Sequence, residues 1–182
     1  MTLGRKKRRS RPSKDGVTRP DVGDVFLIPI GDGTGYIGQV VAAEILLPYI
    51  VVFDLRVEVD RAAEEVDRAL ASEPLLVGLT MDALFRPGRW TVVSHREVEN
   101  VEDYLPVFKV HTPRGWILED VSVSITRPAS DDEVASIPYR KSRSPAIFEH
   151  ALQARHGLSE DNTYYDDLSP DKVALARDHG ML

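Results

Sequence analysis

With 182 residues, 42% of them hydrophobic, and a net charge of −6, the chain has the length and composition of one globular domain with a sizeable core. It contains no cysteine, which excludes a disulfide framework, a zinc-thiolate site and thiol catalysis, and fits a cytoplasmic home. No apolar stretch approaches the roughly 18 residues that cross a bilayer, and the charged N-terminus runs into "VGDVFLIPIGDG" without a small-residue cleavage site, so neither membrane nor secretion is expected.

Charge is unevenly spread, with +7 on residues 1–19 and −13 on the remainder. The tail, "GRKKRRSRPSKDG", has no apolar side chains to bury and is expected to be disordered, leaving 20–182 as a single domain. Holding phosphates requires counterion release by Lys and Arg, so nucleic acid is a partner only through residues 5–19, whereas the acidic body favours a basic partner.

Two strands, from Asp24 to Ile30 and from Tyr36 to Ala43, flank "GDGTG", an Asp-Gly segment of the kind that closes hairpins. The same stretch raises a competing possibility. Gly33, Gly35 and Gly38 fit G-x-G-x-x-G after the apolar run "VFLIPI", and Asp54 stands about 20 residues on, where a Rossmann enzyme keeps its ribose-binding acid. "YIGQVVAAEILL" also suits a helix, through Ile37, Val40, Val41 and Ile45. Against it, Pro29 lies inside what would be a central strand. Moreover, Val51, Phe53, Leu55, Val57 and Val59 alternate with Asp54, Arg56 and Glu58, so Asp54 sits within a strand.

Ala62, Val66 and Leu70 then recur at i+4, predicting an amphipathic helix over "DRAAEEVDRALAS" with an exposed Glu64–Arg68 pair. "PLLVGLT" reads as a buried strand, and "RPGRWTVVS" as another entered through a Pro-Gly turn. A hairpin from Leu105 to Ile125 turns at "TPRG", and Val121, Val123 and Ile125 alternate with Ser122 and Ser124 on its return strand. Ser130 and Glu133 have capping-box spacing for a short helix that stops before Pro138. Ser144-Pro145 opens the clearest helix, closed by Gly157, and Ser169-Pro170 opens a last short one stopped by Gly180.

Six separated stretches, "VGDVFLIPIGDGTGYIGQVV", "YIVVFDLRV", "LTMDALFRPGRWTVV", "YLPVFKV", "WILED" and "YRKSRSPAIFEHAL", resemble the bacterial immunity protein 26 family of polymorphic-toxin systems. The resemblance runs from about Gly23 to about Leu158. It rests most on Gly23, Asp24, Phe26 and Pro29, then Gly35, Gly38 and Trp90, and finally Tyr139, Arg140 and Lys141. It implies an α+β fold in which the glycine-rich stretch is a turn between strands, and an antitoxin role: a toxin inhibitor, used in bacterial competition, that binds a cognate toxin domain encoded beside it. It carries no catalytic motif, and neither the basic arm nor "DKVALARDHGML" belongs to the pattern.

The residues themselves agree with a non-enzyme that takes no cofactor. The five histidines offer no i, i+4 pair for a metal, no nucleophile elbow or Walker loop appears, and Asp131-Asp132 and Asp166-Asp167 suit helix starts or solvated turns. Trp90 and Trp116 are expected in the core. The knot of Tyr139, Arg140, Lys141 and Arg143 is expected to pair with local carboxylates. Two acidic runs, Glu58, Asp60, Glu64, Glu65 and Asp67, then Glu97, Glu99, Glu102 and Asp103, are the candidate partner-binding patches, since a negative surface speeds encounter with a basic protein such as a nuclease toxin. The fold expected is α+β, a mainly antiparallel twisted sheet of hairpins with one helix after the third strand and helices toward the C-terminus. Oligomeric state is not legible.

Overall fold

A computed structural model describes residues 19–44 and 47–182; the basic tail, apart from Arg19, lies outside the described residues. Among the described residues nine strands and three α-helices give the expected α+β fold, largely antiparallel. The larger sheet contains β1 (Asp24–Pro29), β2 (Thr34–Glu44), β3 (Leu47–Glu58), β4 (Pro74–Thr80), β5 (Thr91–His95) and the two-residue β9 (Ser142–Arg143), in the order β5-β1-β2-β3-β4-β9. The smaller sheet is β6 (Val107–Thr112), β7 (Gly115–Asp120) and β8 (Thr126–Pro128). Among the described strands only β9 runs parallel to its neighbour, pairing Ser142 and Arg143 with Leu79 and Thr80.

The glycine-rich stretch answers to hairpin geometry. β1 and β2 are antiparallel, with Pro29 opposite Gly35 and Phe26 opposite Gly38. Gly31 and Gly33 take the turn at φ +97° and +84°, a region open to glycine and costly to other residues. Gly35 and Gly38 are needed for a different reason, namely space. A Cβ on Gly35 would stand 2.5 Å from the Ile28 carbonyl oxygen, and one on Gly38 would stand 2.6 Å from the Phe26 ring. No helix begins here, so the nucleotide-binding alternative is set aside. Pro29 is tolerated because the Ile30 amide bonds toward Thr34 of β2. Its own nitrogen therefore faces the β5 side, where pairing has already ended at Leu27.

Both faces of the larger sheet are covered, and for that reason strict alternation fails over the first half of β3, where Pro48 through Phe53 are all buried. On one face Phe26, Ile28, Val40, Ile50 and Val52 meet Phe85, Trp90 and the helix α3 (Pro145–Ala154) through Phe148 and Leu152. On the other, Val25, Leu27 and Ile37 meet Ala62, Val66 and Ala69 around the helix α1 (Val66–Leu70), while Tyr49, Val51, Val77 and Leu79 meet Phe108 and Val121 of the smaller-sheet layer. Each such side chain removed from water contributes about 1.5–3 kcal/mol before entropy is counted. Trp90 anchors the first face: it stacks on Phe26 at 5.4 Å and donates its Nε1 proton to the buried Glu149 carboxylate at 2.8 Å. Arg89 closes on the other Glu149 oxygen at 2.5 Å.

Four expectations need correction. The helix over "DRAAEEVDRALAS" is only α1, because residues 59–65 tighten into i→i+3 turns, such as Glu64 N–H to Arg61 O and Glu65 N–H to Ala62 O. Consequently Arg68 pairs with Glu65 at 2.5 Å, and Glu64 with Arg61 at 3.2 Å, in place of the Glu64–Arg68 pair. The return strand stops at Asp120, whose carboxylate gathers the Ser122 and Ile125 amides together with the Ser122 and Ser124 hydroxyls. The loop so formed turns Val123 to φ +61° and leaves Val123 and Ile125 exposed. Finally, 169–180 is no single helix: 3₁₀ turns at Pro170–Lys172 and Ala176–His179 flank a stretch that pairs with Leu105 and Val107.

The short-range signals elsewhere are realised. The helix α2 (Asp131–Ser136) carries a complete Ser130/Glu133 capping box, and α3 has Pro145 in its first turn with Gly157 at φ +67° beyond its end.

Candidate functional site

Two segments about 25 residues apart in sequence enclose a cleft of about 490 Å³: the end of α1 (Asp67, Leu70, Ala71) and the stretch after β5 (Arg96, Glu97, Glu99, Asn100 and Tyr104). Gln39 of β2 and Phe53 of β3 complete its lining, both nearly inaccessible to solvent. Its geometry depends on Arg96. The Arg96 amide bonds to Gly23 O at 2.9 Å and its carbonyl accepts from Gln39 Nε2 at 3.1 Å, fixing the backbone against β1 and β2. Its Nε then reaches Asp67 at 3.1 Å, joining the two walls. Asn100, at φ +48°, turns the chain into a 3₁₀ turn at Val101–Asp103 that presents Tyr104. Burial, and then the charge of Glu73, push the Tyr104 hydroxyl above its ordinary pKa, so it enters the cleft as a neutral donor with an aromatic face.

The nine candidate acids therefore divide. Asp67, Glu97 and Glu99 line this cleft. Glu58 and Glu65 line a separate groove of about 370 Å³ that also contains Arg56, Arg61 and Arg68, where three guanidinium groups offset the carboxylates. Asp60 and Glu64 are exposed beside it. Glu102 is exposed on the 3₁₀ turn, while Asp103 is turned away into an ion pair with Arg177. Tyr104 itself could not be picked out from spacing; its one signal was an aromatic residue directly after the second acidic run.

The residues carrying the family resemblance are chiefly architectural at the N-terminal end. Gly23 sits at φ +94°, where a Cβ would meet the Arg96 carbonyl oxygen at 2.7 Å. Asp24 accepts from the Asp21 amide at 2.8 Å and faces His95 at 3.0 Å. Phe26 covers Gly38 and stacks on Trp90, and Pro29 faces Gly35. At the other end, Arg140 bonds Glu119 at 3.0 Å and the carbonyls of Asp120 and Val121, with Phe108 beneath it. Arg143 and Lys141 both face Asp167. Tyr139 stays exposed beside Trp116, with Lys109 over its ring at 4.7 Å. Trp116, expected in the core, is only half-buried because it lies on the outer face of the smaller sheet, against His111 and Tyr139.

Among the described residues no group of three or more His, Asp or Glu is placed to hold a metal ion, and no helix is long and apolar enough to cross a membrane. A family model described as Immunity protein 26 matches residues 21–114, just over half of the chain, including β1 to β6 and the whole lining of the cleft. The chain belongs to the immunity protein 26 family. Membership brings an immunity role in general and a toxin as the general class of partner, in a family that is generally non-enzymatic. No curated protein and no solved structure shows significant similarity to the chain.

Proposed function

We propose that this immunity protein neutralises its cognate toxin by forming a tight complex through the cleft between α1 and the segment after β5, and that the toxin surface it meets is basic, as nuclease surfaces are. The observation that carries the reading is the convergence of Asp67, Glu97 and Glu99, from both acidic runs, on one concavity that also holds Tyr104. Carboxylates at a rim raise association rates with a basic partner but give little lasting affinity, which has to come from a desolvated anchor. Tyr104 supplies an amphipathic ring of the type enriched at such anchors, with Leu70 beside it. An interface centred here would bury about 1,600 Å² in total, the standard size for specific complexes.

The test is co-expression with the C-terminal domain encoded by the reading frame immediately upstream. Growth rescue by the parent chain is expected. The double variant Glu97→Lys/Glu99→Lys should slow association at least tenfold at low salt and flatten its salt dependence, while Tyr104→Ala should mainly speed dissociation. Undiminished rescue and unchanged kinetics in all three substituted positions would move the interface elsewhere.

A further inference from the structure

The hairpin tip between β7 and β8 is fixed from two sides. Within it the Asp120 carboxylate accepts from the Ser122 amide at 3.1 Å, from the Ile125 amide at 2.6 Å, and from the hydroxyls of Ser122 and Ser124. From outside, Arg140 donates to the carbonyl of Asp120 at 2.7 Å and to that of Val121 at 3.1 Å. Yet what this frame holds out to solvent is apolar: Val123 is 44% exposed and Ile125 42% exposed. Val123 is also at φ +61°, where a β-branched side chain crowds its own backbone and Asn or Gly would be accommodated without strain. In the free protein, then, Val123 gains neither packing nor backbone ease. Isolated apolar side chains are ordinary on a surface. A pair held two residues apart on a braced turn, one of them strained, is the pattern that accompanies binding sites.

The tip stands at the same end of the smaller sheet as Tyr104. Asp120 pairs with Val107, the first residue of β6, and Tyr104 lies just before that strand. Val121, at the root of the tip, belongs to the apolar cluster against which Leu70 and Tyr104 of the cleft also pack. Three residues of chain on either side of one antiparallel pair span at most about 27 Å, which bounds the separation of Val123 and Tyr104. One side of a standard interface covers about 800 Å², a patch about 30 Å across, so a single partner spans both. We propose that Val123 and Ile125 form an apolar knuckle that enters a socket on the cognate toxin, next to the basic surface that meets Asp67, Glu97 and Glu99. The inference rests on the toxin-complex reading above and adds a second anchor to it. Being uncharged, the knuckle lengthens the life of the complex and leaves the rate of encounter to the carboxylates.

The probe is the C-terminal domain encoded by the reading frame immediately upstream, bound to the full chain and followed by surface plasmon resonance, with thermal melts of the free chain alongside. Val123→Asn relaxes the backbone and removes an apolar contact, so it should raise Tm yet speed dissociation by about tenfold. Ile125→Thr, which keeps the β-branch, should speed dissociation comparably. In both, the association rate and its salt dependence should stay at parental values, which separates the knuckle from the cleft, where Glu97→Lys/Glu99→Lys acts on association. A more stable free protein with a shorter-lived complex is an outcome that a merely structural role for Val123 does not produce. Parental dissociation in both loop variants while the cleft variants are impaired overturns this inference alone. Fast dissociation in the loop variants with parental behaviour in the cleft variants sustains the knuckle and overturns the cleft. A lowered Tm in Val123→Asn refutes the strain argument, and a dimer of the chain that Val123→Asn abolishes without affecting toxin binding assigns the knuckle to a second copy; either result overturns the proposal. No binding of that domain to the parent chain overturns both readings together.

Discussion

Replacing Gly35 by alanine isolates the steric demand that sets the first hairpin. The added Cβ would lie 2.5 Å from the Ile28 carbonyl oxygen and 2.8 Å from a Leu27 methyl, whereas ordinary contact begins at 3.4 Å. The Ile28 oxygen belongs to a strand paired on both sides, so β1 would have to retreat by about 0.9 Å or the hairpin would have to open locally. Overpacking of this kind costs about 1–3 kcal/mol, and weakening the adjacent ladder bonds adds about 1 kcal/mol, for a total of about 2–4 kcal/mol. In a domain of this size each kcal/mol lowers Tm by about 2–4 °C, so a drop of roughly 4–16 °C is expected by calorimetry. Gly33→Ala is the internal control. No atom lies within 4 Å of its added Cβ, and only the φ of +84° is penalised, by about 1–2 kcal/mol. A Gly35→Ala protein melting within about 1 °C of the parent, or Gly33→Ala proving the more harmful, would refute the packing account.

Glu149→Ala should cost about 1–3 kcal/mol in urea unfolding followed by tryptophan fluorescence, because it leaves the buried Trp90 N–H without an acceptor, while the half-exposed Arg89 guanidinium returns to water. Glu133 is held far below its ordinary carboxylate pKa by the Arg127 hydrogen bonds and then by the Ser130 amide. With a folded pKa below the unfolded one, its contribution is present above about pH 4.5 and is lost as pH falls. Glu133→Gln should therefore cost about 1–2 kcal/mol at pH 7, and when unfolding is measured across pH 3–7 the gap to the parent should be constant above about pH 4.5 and begin to narrow below it. Val123 is an exposed β-branched residue at φ +61°, so Val123→Asn should raise stability by about 1 kcal/mol, read as a Tm gain of about 2–4 °C.

Recognising the fold depended on signals that act within a few residues. Asp-Gly and Pro-Gly turns, the Ser130/Glu133 capping box, and the Pro145 start and Gly157 stop of α3 are legible because each satisfies or excludes a hydrogen bond or a φ value nearby. The errors have an equally plain origin. Val121, Val123 and Ile125 alternate as a strand would, but Asp120 offers the backbone a closer set of donors and ends the ladder. The stretch after Ser169 has a helix start, but pairing with Leu105 and Val107, more than sixty residues earlier, competes successfully for its backbone.

By itself, then, the sequence determined the α+β class, the first hairpin and the separation of positive tail from negative body, since these follow from local backbone preference and composition. Only the tertiary structure decided that Arg96 would draw Asp67 toward Glu97 and Glu99 around Tyr104, and that the Tyr49 hydroxyl would be buried with no hydrogen-bond partner among the described residues. The reason is that side-chain proximity between strands and loops tens of residues apart depends on sheet order and on the register shifts where β3 pairs with β2 and β4, which no local periodicity encodes.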